Sequence, residues 1–87
     1  MNQTKPEMKF KAGAISATVW SNQSEKGLYA SVRLSRTYLD KDKSWKETNT
    51  FRENDLPKAA LVLNEAYRYI QMKNQNEKLQ EVQVHTA

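Results

Sequence analysis

The sequence predicts an α+β fold, in which a curved antiparallel β-meander of three or four strands is followed by one C-terminal amphipathic helix. The clearest evidence is residues 28–35, where apolar and polar residues alternate strictly, as in a strand with one buried face. Two weaker alternating runs flank this stretch, and turn-forming residues separate the three. Residues 56–70 then change to apolar positions three and four apart, which is the period of a helix.

Residues 10–20 form the first predicted strand, but their alternation changes parity at Gly13. Apolar residues occupy even positions before Gly13 and odd positions from Ile15 onward. A bulge or bend at Gly13 would reconcile the two halves, and the residues before it could supply a short additional strand. Residues 1–8 are polar, contain a proline and show no period, which predicts a disordered N-terminal tail.

Residues 28–39 form the second predicted strand, and residues 45–52 form the third after a hairpin turn at D-K-D-K-S. The third strand alternates only weakly. Because a one-residue slip moves every side chain of a strand to the other face, two orientations are open. One orientation presents Lys46, Thr48, Thr50 and Arg52 beside the polar face of the second strand, and the other presents Trp45, Glu47, Asn49 and Phe51.

The helix is predicted to begin near Asn54 and Asp55, which can cap it, with Pro57 in its first turn. We assign residues 9–72 to a single β-β-β-α domain, and residues 73–87 to a frayed helix end or a disordered tail. One apolar stripe is expected to face the sheet, formed by Leu56, Ala59, Ala60, Leu63, Ala66, Tyr67 and Ile70. Three further apolar side chains would add to the core or contact a second subunit: Leu61, Val62 and Tyr69.

Composition limits the class of protein. The 87 residues allow one small domain with a thin core, so a homodimer is expected. The absence of cysteine excludes a disulfide framework, a zinc–thiolate site and a thiol nucleophile. The net charge of +4 is unevenly distributed, since residues 28–52 carry six basic and three acidic side chains. A one-sided excess of this kind is expected of phosphate binding, although its size is common.

Enzymatic chemistry has little support, and we expect no catalytic residue, cofactor, metal or small-molecule substrate. The single histidine, His85, lies near the end of the sequence without an oriented partner. The D-K-D segment at residues 40–42 fails as a calcium loop, because Trp45 and Phe51 occupy the required glycine and glutamate positions. No apolar run approaches the roughly 20 residues of a membrane span, and no hydrophobic signal region begins the sequence, so we expect a cytoplasmic location.

The polar faces of the predicted strands are the candidate functional surface. In one orientation of the third strand they combine cations and hydroxyls, which contact phosphate or sugar, with aromatic rings, which stack on bases. This composition favours binding of single-stranded DNA or RNA, but it also fits a solvated face that packs against a protein partner. The candidate nucleic-acid-binding residues are Lys11, Ser16, Thr18, Trp20, Tyr29, Ser31, Arg33, Lys46, Thr48 and Arg52.

The order of elements also resembles a known fold. The segments A-I-S-A-T-V-W, Y-A-S-V-R-L-S-R-T-Y, D-K-D-K-S-W-K and D-L-P-K-A-A-L-V-L resemble those of small prokaryotic proteins similar to positive transcription cofactor 4 and the plant Whirly proteins. The resemblance covers about residues 9–70. It implies a curved sheet that binds single-stranded DNA with little sequence preference, dimerisation through helices, and an accessory role in transcription or replication. Those families have four strands, whereas only three are clear in this sequence. The binding positions it implies are Lys11, Trp20, Tyr29, Arg33, Lys46 and Arg52.

Overall fold

Four strands form one antiparallel sheet in the order in which they occur in the chain. The structure is a computed structural model and describes the backbone of residues 6–77 and the side chains of residues 6–74. A single 3₁₀ turn, Glu53–Asp55, joins the last strand to the helix. The predicted α+β meander with one C-terminal helix is confirmed, and its strand number is four. The elements are β1 (Met8–Ala12), β2 (Ile15–Ser24), β3 (Gly27–Leu39), β4 (Trp45–Thr48) and α1 (Leu56–Glu77).

The change of parity at Gly13 marks a hairpin turn. Gly13 has a φ of +62°, a conformation that glycine adopts without steric cost, and Ala12 pairs with Ile15 across the turn. The predicted first strand is therefore two strands, and β1 is the additional one. The sheet begins before the predicted tail ends, because Met8 lies in β1 and the Glu7 N–H donates to the Val19 carbonyl at 2.8 Å. Residues 1–5 of that tail, and residues 78–87 of the predicted C-terminal one, lie outside the described part.

The turn between β3 and β4 determines which way β4 faces. The Asp40 N–H donates to the Ser44 carbonyl at 3.0 Å, so that Leu39 and Trp45 form the first pair of the ladder. One carboxylate oxygen of Asp40 accepts the N–H groups of Asp42 and Ser44, which stabilises the loop. This five-residue turn, Asp40 to Ser44, fixes the register of β4, although the hydrophobic alternation of β4 is weak.

The core lies between α1 and the β1–β2 half of the sheet. Ile15, Ala17 and Val19 of β2 are buried against Ala59, Val62 and Ala66 of α1. Small alanine side chains on both sides let the helix approach the sheet closely. Other apolar residues surround this centre and are partly buried: Phe10, Ala12, Leu34, Phe51, Tyr69 and Ile70.

The buried face of α1 differs from the predicted stripe. Ala59, Ala66 and Ile70 face the core as expected, but Val62 replaces Leu63 at its centre and is only 2% exposed. Apolar residues occupy two adjoining flanks of α1, and the sheet covers only one of them. Helical periodicity alone does not say which flank that is. Four members of the predicted stripe are consequently exposed: Leu56, Ala60, Leu63 and Tyr67.

Both ends of α1 are tied to the sheet through carboxylates. At its start, the buried Asp55 accepts the backbone N–H of Arg52 at 2.9 Å and lies 3.3 Å from Nε of Arg36 on β3. Near its other end, Glu7 accepts the Tyr69 hydroxyl at 3.0 Å and pairs with Lys73. These two clamps hold the helix across the sheet and so keep the opposite face uncovered.

The two clamps predict a loss of stability in acid. Hydrogen bonding from Lys73 lowers the pKa of Glu7, and the Arg52 N–H lowers the pKa of Asp55. A carboxylate with a depressed folded-state pKa contributes its stability above its unfolded pKa of about 4, and loses it as the pH falls through the folded value. We therefore expect the melting temperature to fall steeply below about pH 4.

The Glu7→Gln variant tests the part that Glu7 has in this effect. It should melt at a lower temperature than the wild type at pH 7 and lose less on acidification, as measured by circular dichroism between pH 7 and 3. Glu25→Gln in the exposed β2–β3 turn is the control and should follow the wild type. An unchanged pH profile in Glu7→Gln would count against the clamp.

Candidate nucleic-acid interface

One face of the sheet is turned away from α1, and strand register determines its members. Directly opposed residues of antiparallel strands point to the same face. Thr18 is opposed by Lys9 on one side and Arg33 on the other, whereas its neighbours Ala17 and Val19 face the helix. The face away from the helix is referred to below as the open face. Its members include Lys9, Lys11, Ser16, Thr18, Trp20, Tyr29, Ser31, Arg33, Ser35, Trp45 and Glu47.

Seven of the ten candidate binding residues lie together on the open face. The predicted polar faces of β2 and β3 are confirmed by their register, in which Trp20 opposes Ser31 and Thr18 opposes Arg33. Lys11 joins them from β1, where it opposes Ser16. The seven are Lys11, Ser16, Thr18, Trp20, Tyr29, Ser31 and Arg33.

The other three candidates lie elsewhere, so the orientation assumed for the third strand is wrong. Lys46 and Thr48 oppose Tyr38 and Arg36, which puts them on the side of the sheet that carries α1. Lys46 forms an ion pair with Asp40 at 2.9 Å, and this pair lowers the pKa of Asp40. Arg52 follows the end of β4 and pairs with Asp55 at the start of the helix.

The small hydroxyl residues form the floor of the open face. Ser16, Thr18 and Ser35 are 3%, 8% and 6% exposed. Because α1 covers the other side of the sheet, the burial of these residues comes from the side chains that surround them. Ser16 and Thr18 are therefore poorly placed to contact a ligand directly. Ser31 is exposed, and its hydroxyl accepts the Asn22 amide at 2.9 Å.

Aromatic rings lie at both ends of the open face, with Tyr29 and Trp20 towards one end and Trp45 at the other. Tyr29 is 55% exposed near the β2–β3 turn, and Trp45 is 71% exposed at the start of β4. Trp45 opposes Leu39, ten residues along β3 from Tyr29, which corresponds to roughly 33 Å of strand. Trp20 is half-buried between them. The rings thus span most of the length of β3.

The charges of the open face are mixed. Lys9 and Lys11 lie on the edge strand β1, and the Arg33 side chain extends over the middle of the face with 65% of its area exposed. Glu47 opposes Thr37, and its Oε1 lies 3.4 Å from Nη2 of Arg33. The open face therefore carries an acid, although cations outnumber acids there among the residues of the four strands.

Four of the residues named for this face are absent from the predicted set: Lys9, Ser35, Trp45 and Glu47. Lys9 has the same parity as Lys11 and was detectable once residues 8–12 are taken as a strand. Trp45 belongs to the alternative orientation of the third strand, which the hydrogen-bonded turn between Asp40 and Ser44 produces. The amino-acid composition alone indicates the position of neither Lys9 nor Trp45.

The structure places the three predicted dimer contacts in three different environments. Val62 lies in the core of its own chain and has no surface to offer a second subunit. Tyr69 is half-buried, with its ring edge-on to Phe10 at 5.9 Å and its hydroxyl bonded to Glu7. Leu61 is exposed, on the flank of α1 that faces away from β3.

A different apolar surface is exposed where α1 leaves β3 uncovered. A cleft between the two elements is lined by Leu28 and Ala30 of β3 and by Ile70 and Asn74 of α1. The same flank of the helix exposes further apolar residues at spacings of seven and four. We refer to five residues as the apolar flank: Leu28, Val32, Leu56, Leu63 and Tyr67.

Neither a metal centre nor a membrane span is found among residues 6–77. These residues contain no group of three or more histidine, cysteine, aspartate or glutamate side chains that could hold a metal ion. Within the same range, no helix combines the length and the apolar character needed to cross a membrane. His85 lies outside the described residues.

Comparison with known proteins adds no identification: no family model matches the chain, and no curated protein or solved structure is significantly similar to it. The resemblance to positive transcription cofactor 4 and the Whirly proteins stays a prediction.

Proposed function

We propose that this protein is a non-enzymatic module that binds single-stranded nucleic acid, DNA in the first instance, on the open face of its sheet. The observation that supports this most is the register of the strands. It brings three cations and three aromatic rings, separated along the chain, onto one side of the sheet. A cytoplasmic location, where nucleic acid is accessible, is part of the proposal.

The residues of the open face have separate roles in this proposal. Arg33, Lys9 and Lys11 neutralise phosphates, and the guanidinium of Arg33 can contact two phosphate oxygens at once. Trp20, Tyr29 and Trp45 stack on unpaired bases, which contributes about 1–3 kcal/mol per base and is tolerant of sequence. Ser31 donates a hydrogen bond to the sugar–phosphate backbone of the bound strand. Duplex DNA keeps its bases stacked inside, so a face of this kind favours single strands.

Salt dependence tests the phosphate contacts. The wild type should bind a mixed-sequence single-stranded oligonucleotide at low salt. With three cations engaged, the logarithm of the affinity should fall with the logarithm of salt concentration at a slope of about −2. Arg33→Ala should make that slope shallower by roughly 0.7. Both tryptophans lie on the open face, so quenching of their fluorescence measures the binding.

Arg68→Ala is the matched control for Arg33→Ala. Arg68 lies on α1, is 67% exposed and pairs with Glu65, much as Arg33 is 65% exposed and pairs with Glu47. The control should bind as the wild type does. Absence of binding at low salt would refute the proposal, and equal losses in the two variants would place the site elsewhere.

We also propose that two copies of the chain associate through the apolar flank, on the side opposite the open face. Leu56, Leu63 and Tyr67 follow the helix at the spacing typical of a helix-pairing seam, so a two-fold axis would bring this surface against itself. The six buried apolar residues among residues 6–74 make a thin core, which a dimer would extend. Leu28 and Val32 of β3 extend this exposed apolar surface beside the helix.

Leu63→Asp should convert the dimer to a monomer, because it places a carboxylate in the middle of this seam. Sedimentation velocity would measure the change. Leu61→Asp is the control, since Leu61 is also exposed but lies on the other flank of α1. The control should remain dimeric. A wild-type protein that is monomeric at high micromolar concentration would contradict this assembly.

An alternative function is protein binding through the same open face. The exposed apolar rings and the exposed Leu39 beside Trp45 favour it, since such residues also anchor protein interfaces. Quenching by single strands, but not by duplex DNA or heparin, would exclude it. Equal quenching by all three would indicate a general affinity for polyanions and leave protein binding as the better account.

A further inference from the structure

Glu47 is the acid that the open face carries within its four strands, and it lies beside the central cation. It projects from the edge strand β4, and its carboxylate lies 3.4 Å from the guanidinium of Arg33 on β3. Trp45 lies two residues away on the same face and strand. A single strand that stacks on Trp45 and contacts Arg33 would therefore pass close to Glu47.

The contact between Glu47 and Arg33 is easily exchanged. Both side chains are largely in water, with 44% and 65% of their areas exposed, and solvent screens such a pair strongly. A backbone phosphodiester offers Arg33 the same arrangement of two oxygens and the same single negative charge. The carboxylate thus occupies the place of a phosphate oxygen in the free protein, and a bound strand has to displace it.

We propose that Glu47 lowers the affinity of the open face for every polyanion, so that only a polyanion whose bases also stack on the rings binds appreciably. This inference rests on the proposed nucleic-acid function of the open face. Glu47 repels every polyanion and competes for Arg33 with each of them. A single strand offsets this repulsion by stacking on Trp45 and Tyr29, whereas heparin or polyphosphate has no base to stack. Discrimination of this kind uses a repulsive element against the wrong partner.

Glu47→Gln tests the inference because it removes the charge and keeps the shape. The affinity for a single-stranded oligonucleotide should rise roughly two- to fivefold, which is the contribution of one exposed ion pair. The affinity for heparin should rise by a similar factor, which makes heparin binding detectable at concentrations where the wild type shows none. Melting temperature should stay unchanged, since the pair contributes little to folding.

Glu65→Gln on α1 is the matched control, because Glu65 is 43% exposed and pairs with Arg68 at 3.7 Å. It should leave both affinities unchanged. In an Arg33→Ala background, Glu47→Gln should have a smaller effect, because the competition for Arg33 is gone. If the wild type binds single strands but Glu47→Gln and Glu65→Gln behave alike, the role of Glu47 is refuted alone. If the wild type binds no oligonucleotide, the proposed function itself fails.

Discussion

Replacing both Tyr29 and Trp45 with alanine is expected to weaken binding to a single-stranded oligonucleotide by at least about thirtyfold, on the basis of about 1 kcal/mol or more per stacked base. The two rings lie at opposite ends of the open face, and both are more than half exposed. Because their removal changes no charge, the salt dependence of binding should keep its slope. The affinity loss should therefore appear as a parallel shift of the salt plot.

Tyr38→Ala is the control for this double variant. Tyr38 is another exposed tyrosine of β3, but it opposes Lys46 and lies on the side of the sheet that carries α1. Its removal should leave the affinity within about twofold of the wild type, as expected for a ring that stacks on no base. Equal losses in the control and the double variant would show that the rings of the open face are not the binding surface.

Val62→Asp is expected to prevent folding. Val62 lies at the centre of the core between Ala17 of β2 and the neighbouring turns of α1. An unpaired carboxylate there would lose its hydration without gaining a partner, at a cost of several kcal/mol. That is comparable with the whole stability of a small domain, which starts at about 5 kcal/mol. Circular dichroism and thermal melting should show no cooperative unfolding transition.

An aspartate one residue earlier, at position 61, distinguishes the effect of burying a carboxylate from the effect of aspartate on helix propensity. Leu61→Asp places the same carboxylate in the same turn of α1, but on an exposed side chain, so the variant should fold. If both variants fold, the buried face of the helix is different from the one described. If neither folds, the loss reflects the helix rather than the core.

The fold was largely predictable from local sequence patterns, because strand alternation, the conformation of Gly13 and helical spacing each depend on residues close together in the chain. Strict alternation in residues 28–35 requires a half-buried strand, and β3 occupies this stretch with its two faces as predicted. Gly13 marked the boundary between two strands because only its positive φ reverses the chain there without strain. Spacing of apolar residues was enough to place α1, which is helical throughout Leu56–Glu77 and so continues past the predicted domain boundary at residue 72.

The errors came where tertiary contacts decided between two local solutions. β4 alternates too weakly to choose a face, and the closure between Asp40 and Ser44 chose the face that exposes Trp45 and Glu47. In α1, Val62 and Leu63 are both apolar neighbours on adjoining flanks. Only the position of β1 and β2 determines that Val62 is buried. The orientation of β4 changed the candidate site, since it removed Lys46 and added Trp45. The burial of Val62 removed that residue from the predicted dimer contacts.

The open face itself was partly predictable. Trp20, Tyr29 and Arg33 share a face because β2 and β3 are long neighbouring strands, and their parities follow from alternation alone. The ion pair between Arg33 and Glu47 depends on the register of the strand that alternation left undecided. The most distinctive charge feature of the site was therefore the least accessible to sequence reasoning.

The most direct measurement of the central claim is an NMR titration of the ¹⁵N-labelled protein with a single-stranded oligonucleotide. The chain has two tryptophans, Trp20 and Trp45, and both lie on the open face. The proposal predicts that both indole N–H signals and the Nε–H of Arg33 shift on binding, while the amides around Leu63 and Tyr67 do not. Shifts confined to α1, or no shifts at low salt, would contradict the assignment of the open face as the nucleic-acid interface.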